Sequence, residues 1–127
     1  MSDPRPGPLD GLLVADFSRV LAGPYCTMLL ADLGADVIKV ESPAGDDTRG
    51  WVPPTRDGVA TYYLAINRNK RSVVLDLKDA AGRAAAAELA RRADIMVQNF
   101  KPGGRVRRRR HAPRRPSGRA PPTACSG

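Results

Sequence analysis

Residues 12–41 confine the fold more than any other part of the sequence. They open with LLVADFS (12–18), a short apolar run without a helical period, which reads as a buried strand. RVLAGP then supplies a tight loop. Gly23 tolerates backbone angles closed to other residues, and Pro24 suits the first position of a helix, where its missing N–H costs nothing. PYCTMLLADLGA fits about three helical turns, stopped by Gly34, the residue best able to take the left-handed C-terminal conformation. DVIKVE (36–41) follows at once as a second strand. Strand, helix and strand in immediate succession make a βαβ unit, which demands parallel strands and a right-handed crossover.

The alternation recurs. Residues 42–60 are rich in Pro, Gly and Asp and read as loop, and TYYLAINRNKRS as a short helix that breaks at Asn67 or Asn69. SVVLDLK (72–78) is a third strand and DIMVQNF (94–100) a fourth. Between them DAAGRAAAAELARRA is the clearest helix: Asp79 caps it, alanines fill it, and Arg91 and Arg92 complement the dipole at its end. Residues 9–103 therefore predict an α/β fold with a Rossmann-like parallel sheet. No period of either kind continues after Gly103. Residues 104–127 hold Val106 as their one aliphatic strand-former and four prolines, too little apolar surface to offset chain entropy, and are expected to be disordered.

The formal charge of +8 and pI near 10.3 would suggest nucleic acid as partner. The distribution of charge says otherwise. Residues 1–103 carry thirteen Lys and Arg against thirteen Asp and Glu, so the whole excess comes from eight arginines after Gly103. The tail also has neither lysine nor an aromatic ring to stack on a base. A nucleic-acid arm is thus the weaker reading, although its arginines would hold phosphates in a salt-dependent way. Cys26 and Cys125 lie far apart without a CxxC or Cys/His cluster, which argues against a disulfide framework or a zinc site. The first residues lack the pattern of a secretory signal, and no apolar stretch approaches the ~20 residues of a bilayer span, so a soluble cytoplasmic protein is expected.

Ligands of parallel α/β sheets bind beyond the carboxyl ends of the strands. Those ends carry SRVLAG, ESPAGDDTR, DLK and NFKPGG. The first runs into a helix N-terminus, whose free N–H groups suit an anion such as phosphate. Lys78 and Lys101 offer cations, Asn99 a donor and an acceptor, and Phe100 a flat surface for a ring. Against this, a Gly-Pro turn before a helix is more often plain turn chemistry, and strand-end lysines are more often solvated. Cys26 reads as a small buried apolar residue on the helix, and Asp16 as a strand-end carboxylate that holds the adjoining loop. There is no GxGxxG, P-loop or GxSxG. Spacing alone reaches an α/β domain with an anionic ligand.

Three consecutive blocks carry the reading further. VADFSRVLAGPYCTMLLADLGADVIKVESPAGDDTRGW, YYLAINRNKRSVVLDLKDAAGR and ADIMVQNFKPG resemble, in order and spacing, the N-terminal region of class III CoA-transferases, over residues 9–103. The resemblance implies coenzyme A or an acyl-CoA as substrate, with no covalently bound cofactor. By position it implies contacts from Leu21 and Ala22 in the first loop. It adds Leu75, Asp76, Leu77 and Lys78 at the third strand end, and Asn99, Phe100 and Lys101 at the fourth. At one position the chain departs: the formyl-CoA transferase branch has Arg after KVE, and here Ser42 follows. The family forms interlocked homodimers and passes CoA from an acyl-CoA to a carboxylic acid. It does so through a mixed anhydride on an aspartate well beyond this region. A racemase branch of the same fold instead moves the proton α to the thioester. No catalytic residue is assigned within these 127 positions.

The family continues past NFKPG with an amphipathic helix, whereas here RVRRRRHAPRRPSGRAPPTACSG follows Gly104. Arg, Ala, Pro and Gly are the residues of GC-rich codons. A frameshift near codon 104 is the expected origin, in preference to a selected basic arm or a purpose-built short CoA-binding subunit. The chain as written is then expected to be poorly stable and inactive as a transferase.

Overall fold

The computed structural model describes residues 7–101 and the backbone of Thr123–Ser126. Strand β1 (Leu13–Asp16) leads through α1 (Ala22–Asp32) to β2 (Asp36–Glu41). A 3-10 turn (Asp47–Gly50) and a hairpin of β3 (Thr55–Arg56) and β4 (Val59–Ala60) precede α2 (Thr61–Ile66). Then come β5 (Arg71–Val74), α3 (Ala80–Arg92), β6 (Ile95–Gln98) and β7 (Thr123–Ser126). The main sheet is ordered β5-β2-β1-β6-β7, and every neighbouring pair is parallel. This is the α/β architecture expected from the alternating pattern.

The chain steps from β1 outward to β2 and β5, then returns past β1 to β6. With right-handed crossovers, the two halves of such a path place their helices on opposite faces. On one face, Ala31 of α1 packs with Val14, Val37 and Val97. On the other, Ala86 of α3 packs with Ala15, Phe17 and Val40. Consecutive residues Val14 and Ala15 thus serve different layers, as the two-residue period of a strand requires. The order reverses between β1 and β6, and the crevice at their C-terminal ends is where such sheets bind ligands.

Local signals explain the element boundaries. Gly34 has φ +103° and closes α1 by donating to Ala31 O at 3.0 Å. The Asp79 carboxylate caps α3 by accepting from Ala81 N at 3.0 Å and Gly82 N at 3.3 Å. Pro24 lies in the first turn of α1, two residues inside a helix that opens at Ala22.

Four expectations are corrected. Asp57 (φ +51°) and Gly58 (φ +78°) make the two-residue turn of a hairpin where residues 42–60 read as loop. The third strand ends at Val74, so Leu75, Asp76, Leu77 and Lys78 lie past it. Cys26 is exposed, because the buried side of α1 is filled by Gly23, Pro24, Thr27, Met28 and Ala31. The backbone of Thr123–Ser126 pairs with β6, from Ile95↔Thr123 to Gln98↔Ser126, where no regular structure was expected. The disorder expected for 104–122 and Gly127 falls outside the described residues. Among those described, no helix is long and apolar enough to cross a membrane.

Candidate functional site

The loop between β1 and α1 is fixed from beneath by buried charge. Asp16 is wholly buried and accepts from Ser18 N at 2.9 Å, the Ser18 hydroxyl and Thr27 Oγ1 at 2.6 Å. Lys70 Nζ pairs with the same carboxylate at 3.1 Å, and also donates to Pro24 O at 2.8 Å and Asn67 Oδ1 at 2.9 Å. Burial pushes the Lys70 ammonium down to about 8, against the pull of Asp16. Lys39, 1% exposed, donates to Ser18 O at 3.1 Å and pairs with Asp46 Oδ2 at 2.8 Å. Among the described residues that oxygen has no other partner, so the Lys39 charge satisfies it. The loop-holding role expected of Asp16 is what the structure displays.

From the outer side the loop is clamped by β6. Arg19 N donates to Asn99 Oδ1 at 3.0 Å, and Asn99 Nδ2 donates to Arg19 O at 2.7 Å. One carboxamide thereby joins the ends of β1 and β6 across the point where the strand order reverses. Val20 follows with φ +73°, a conformation costly for a β-branched residue, and its carbonyl accepts from Tyr62 Oη at 3.2 Å.

Glu41, at the end of β2, gathers the next segments. It accepts from Arg49 Nε and Nη2, both at 2.8 Å, Tyr63 Oη at 2.6 Å, Ser72 Oγ at 2.8 Å and Asp46 N at 3.0 Å. The Arg49 guanidinium also lies 3.9 Å from the Tyr63 ring centroid. Burial by itself would raise the Glu41 carboxyl. The bonds from Arg49, Tyr63 and Ser72 outweigh it and hold the group at about 2. Burial, followed by the charge and hydrogen bond of Glu41, pushes the Tyr63 phenol up.

These devices surround a cavity of about 220 Å³ beyond the strand ends. Phe17, Leu75, Leu77 and Phe100 give it apolar walls, and Arg19, Ser42, Asp76 and Lys78 give it polar ones. Of the residues expected to contact the ligand, Leu75, Asp76, Leu77, Lys78 and Phe100 meet here. Leu21, Ala22, Asn99 and Lys101 do not line the cavity. Leu21 is the N-cap of α1 and 50% exposed, and the amide of Asn99 is engaged with Arg19. Phe17, Arg19, Gly45 and Asp46 line it as well and went unread in the sequence. Their only signal was position after a strand end.

The wall at Asp76 depends on Gly82, since a Cβ there would stand 2.0 Å from Asp76 O. We expect Gly82→Ala to push the 76–78 turn away from α3 and lower stability by about 1–3 kcal/mol. A urea-denaturation midpoint unchanged from the parent chain would contradict this.

Comparison with known proteins places the geometry. The model of CoA-transferase family III matches residues 9–115, running past Gly103 into the arginine-rich stretch. Human succinyl-CoA:glutarate CoA-transferase is 54% identical over 97 residues, covering 76% of this chain and 22% of that protein. Succinate–glutarate CoA-transferase of Agrobacterium fabrum is 52% identical over 107 residues, covering 79% and 27%. A CAIB/BAIF family protein from Brucella suis superimposes with TM-score 0.75 at 50% identity, covering 79% of this chain and 28% of that one. The chain thus spans about a quarter of the length of the relatives it matches.

Proposed function

Because the chain belongs to CoA-transferase family III, we propose that residues 9–103 form the coenzyme A cradle of a transferase that moves CoA from an acyl-CoA to a carboxylic acid. The observation that carries this is the convergence of Leu75, Asp76, Leu77, Lys78 and Phe100 on one cavity at the C-terminal ends of parallel strands. A ring is suited to the walls of Phe17, Phe100, Leu75 and Leu77, and an anion to the Lys78 ammonium. The cavity is smaller than the ~300–1,000 Å³ usual for a whole drug-sized ligand, which fits one end of a long cofactor. Leu21, Ala22 and Lys101 are proposed to touch the extended remainder. Asn99 is assigned to positioning, because its carboxamide is spent on Arg19.

Both curated relatives are named for succinate and glutarate, so a dicarboxylate pair is the substrate class to try first. The nucleophilic aspartate of the mixed-anhydride reaction lies outside these 127 residues on this reading. The intact enzyme is proposed to be a cytoplasmic homodimer. Exposed Leu21, Tyr25, Leu29 and Leu33 follow one another at four-residue spacing along α1, apolar surface that further chain or a second subunit would cover. The break near Gly103 is proposed as a frameshift. Translation of the coding DNA past codon 104 in the other two frames should then yield a continuing amphipathic helix and a later aspartate.

Calorimetric titration tests the cradle. CoA should bind and pantetheine, which lacks the nucleotide, should not. Phe100→Ala should weaken CoA about tenfold, the loss of one buried aromatic wall. Equal binding of CoA and pantetheine would refute the reading. With succinyl-CoA and glutarate the chain alone should transfer nothing.

A further inference from the structure

Resting on that reading, we propose that Arg19 grips a phosphate of the cofactor and that Asp47 is its competitor, holding the guanidinium at the cavity rim until the phosphate displaces it. The first support is a contrast between a fixed backbone and an uncommitted side chain. The Arg19 peptide is held on both edges by Asn99, and its neighbours Ser18 and Val20 are held by Lys39 and Tyr62. The Arg19 side chain lines the cavity yet makes one long ion pair, Nη1 to Asp47 Oδ2 at 3.6 Å, with both side chains more than half exposed.

Other arginines are committed elsewhere. Arg49, Arg68, Arg71 and Arg91 each make two hydrogen bonds to one carboxylate. Arg92 bonds Glu88 and Arg83 the carbonyl of Lys78. Among the described residues only Arg56 is as loosely paired, at 3.8 Å from Asp57, and it lies away from the cavity. Arg19 is therefore the guanidinium whose donors a ligand can take without breaking a built pair.

The surrounding charge agrees. The carboxylates of Glu41 and Asp46 are neutralised by Arg49 and Lys39, and Asp76 accepts from the Lys78 backbone. The Lys78 ammonium has no ion-pair partner among the described residues. Arg19 and Lys78 are thus the cations at the rim without a built pair, beside the carboxylates of Asp76 and Asp47. At residue 42 there is no cation, and the Ser42 hydroxyl is used by Gly45 O at 3.0 Å.

The test titrates CoA, 3′-dephospho-CoA and pantetheine into the 127-residue chain and its Arg19→Gln, Arg19→Lys and Asp47→Asn variants at low salt. Arg19→Gln should weaken CoA about tenfold, the value of one charge-assisted contact, and Arg19→Lys should restore part of it. Asp47→Asn, fully on the surface, should tighten CoA about two- to threefold by removing the competitor. A loss for CoA alone assigns the contact to the 3′-phosphate, and an equal loss for dephospho-CoA assigns it to the pyrophosphate. CoA binding that Arg19→Gln leaves unchanged overturns the inference and spares the cradle. Weaker binding in Asp47→Asn overturns the competitor role. No CoA binding by the unsubstituted chain overturns the cradle itself and the inference with it.

Discussion

Glu41→Gln should lower the unfolding free energy by about 3 kcal/mol, as expected when a buried carboxylate loses charge-assisted hydrogen bonds and leaves a donor facing donors. The substitution keeps shape and changes only hydrogen-bond sense. Glu41 accepts from donors at both oxygens: Arg49, Tyr63 and Ser72 at Oε1, Arg49 and Asp46 N at Oε2. A glutamine turns one of those oxygens into a donor facing donors, and leaves the Arg49 guanidinium without its counter-charge. The pH dependence gives an independent measure. Glu41 is held at about 2, below its ordinary 4.5. A depressed carboxyl contributes stability that is fully present above the ordinary value and lost as pH falls through the folded one. Converting the depression gives about 3 kcal/mol. Urea denaturation followed at neutral pH and at steps between pH 4.5 and 2 checks both. The acid limb should be shallower in the variant. It should not be flat, because Asp46 and Asp79 are also depressed. Parallel acid limbs would show that Glu41 is not the group responsible.

The order and type of the main elements were legible because each is announced by local chemistry. Gly34 stops α1, Asp79 starts α3, and the β–α alternation leaves a parallel sheet as the one arrangement that buries the apolar runs. The hairpin at Thr55–Ala60 had a local signal too, the Asp57-Gly58 pair, obscured by the density of Pro and Gly around it. The strand end at Val74 had a weak one, Asp76, whose carboxylate accepts from Lys78 N at 2.8 Å in a local turn. SVVLDLK keeps its alternation through Leu77, which hides that turn, and the packing of Leu75 and Leu77 against the cluster that contains Phe17 sets them in the cavity wall. Cys26 was misplaced because apolar residues occupy every side of α1, so pattern could not choose its buried face.

The site was half legible for a related reason. Residues after a strand end can be read as facing a ligand, but which are consumed by the protein's own polar groups depends on partners far along the chain. Asn99 meets Arg19 eighty positions away, and Lys70 meets Asp16 fifty-four away. No spacing rule announces such pairs. The family blocks pointed to loops of which Leu75–Lys78 and Phe100 meet at one cavity, while remaining silent on the division of labour within them.

Lys39→Met should destabilise the chain by about 3–5 kcal/mol, and pairing it with Asp46→Asn should recover most of that loss. Lys39 and Asp46 are both almost completely removed from water, and among the described residues the contact between Nζ and Oδ2 is all that satisfies that oxygen. Methionine fills the space of the lysine stem but leaves a buried carboxylate whose remaining partners, Thr48 N and Thr48 Oγ1, reach only Oδ1. The same change strips Ser18 O of its donor. For a domain whose whole stability is of order 5–15 kcal/mol, a loss of this size unfolds a sizeable share of molecules at 25 °C. Adding Asp46→Asn to the Lys39→Met variant removes the uncompensated charge. A residual deficit of about 1 kcal/mol should persist from the Ser18 carbonyl. The double-mutant cycle by urea denaturation should therefore give a coupling of at least about 2–4 kcal/mol, increased by whatever Asp46→Asn costs alone. Coupling below about 0.5 kcal/mol would mean that the pair merely fills space. The pair also joins the Asp46 wall of the cavity to the loop that carries Arg19. CoA affinity should fall in the single variant even where the chain is folded, and return in the double only as far as that loop is again held.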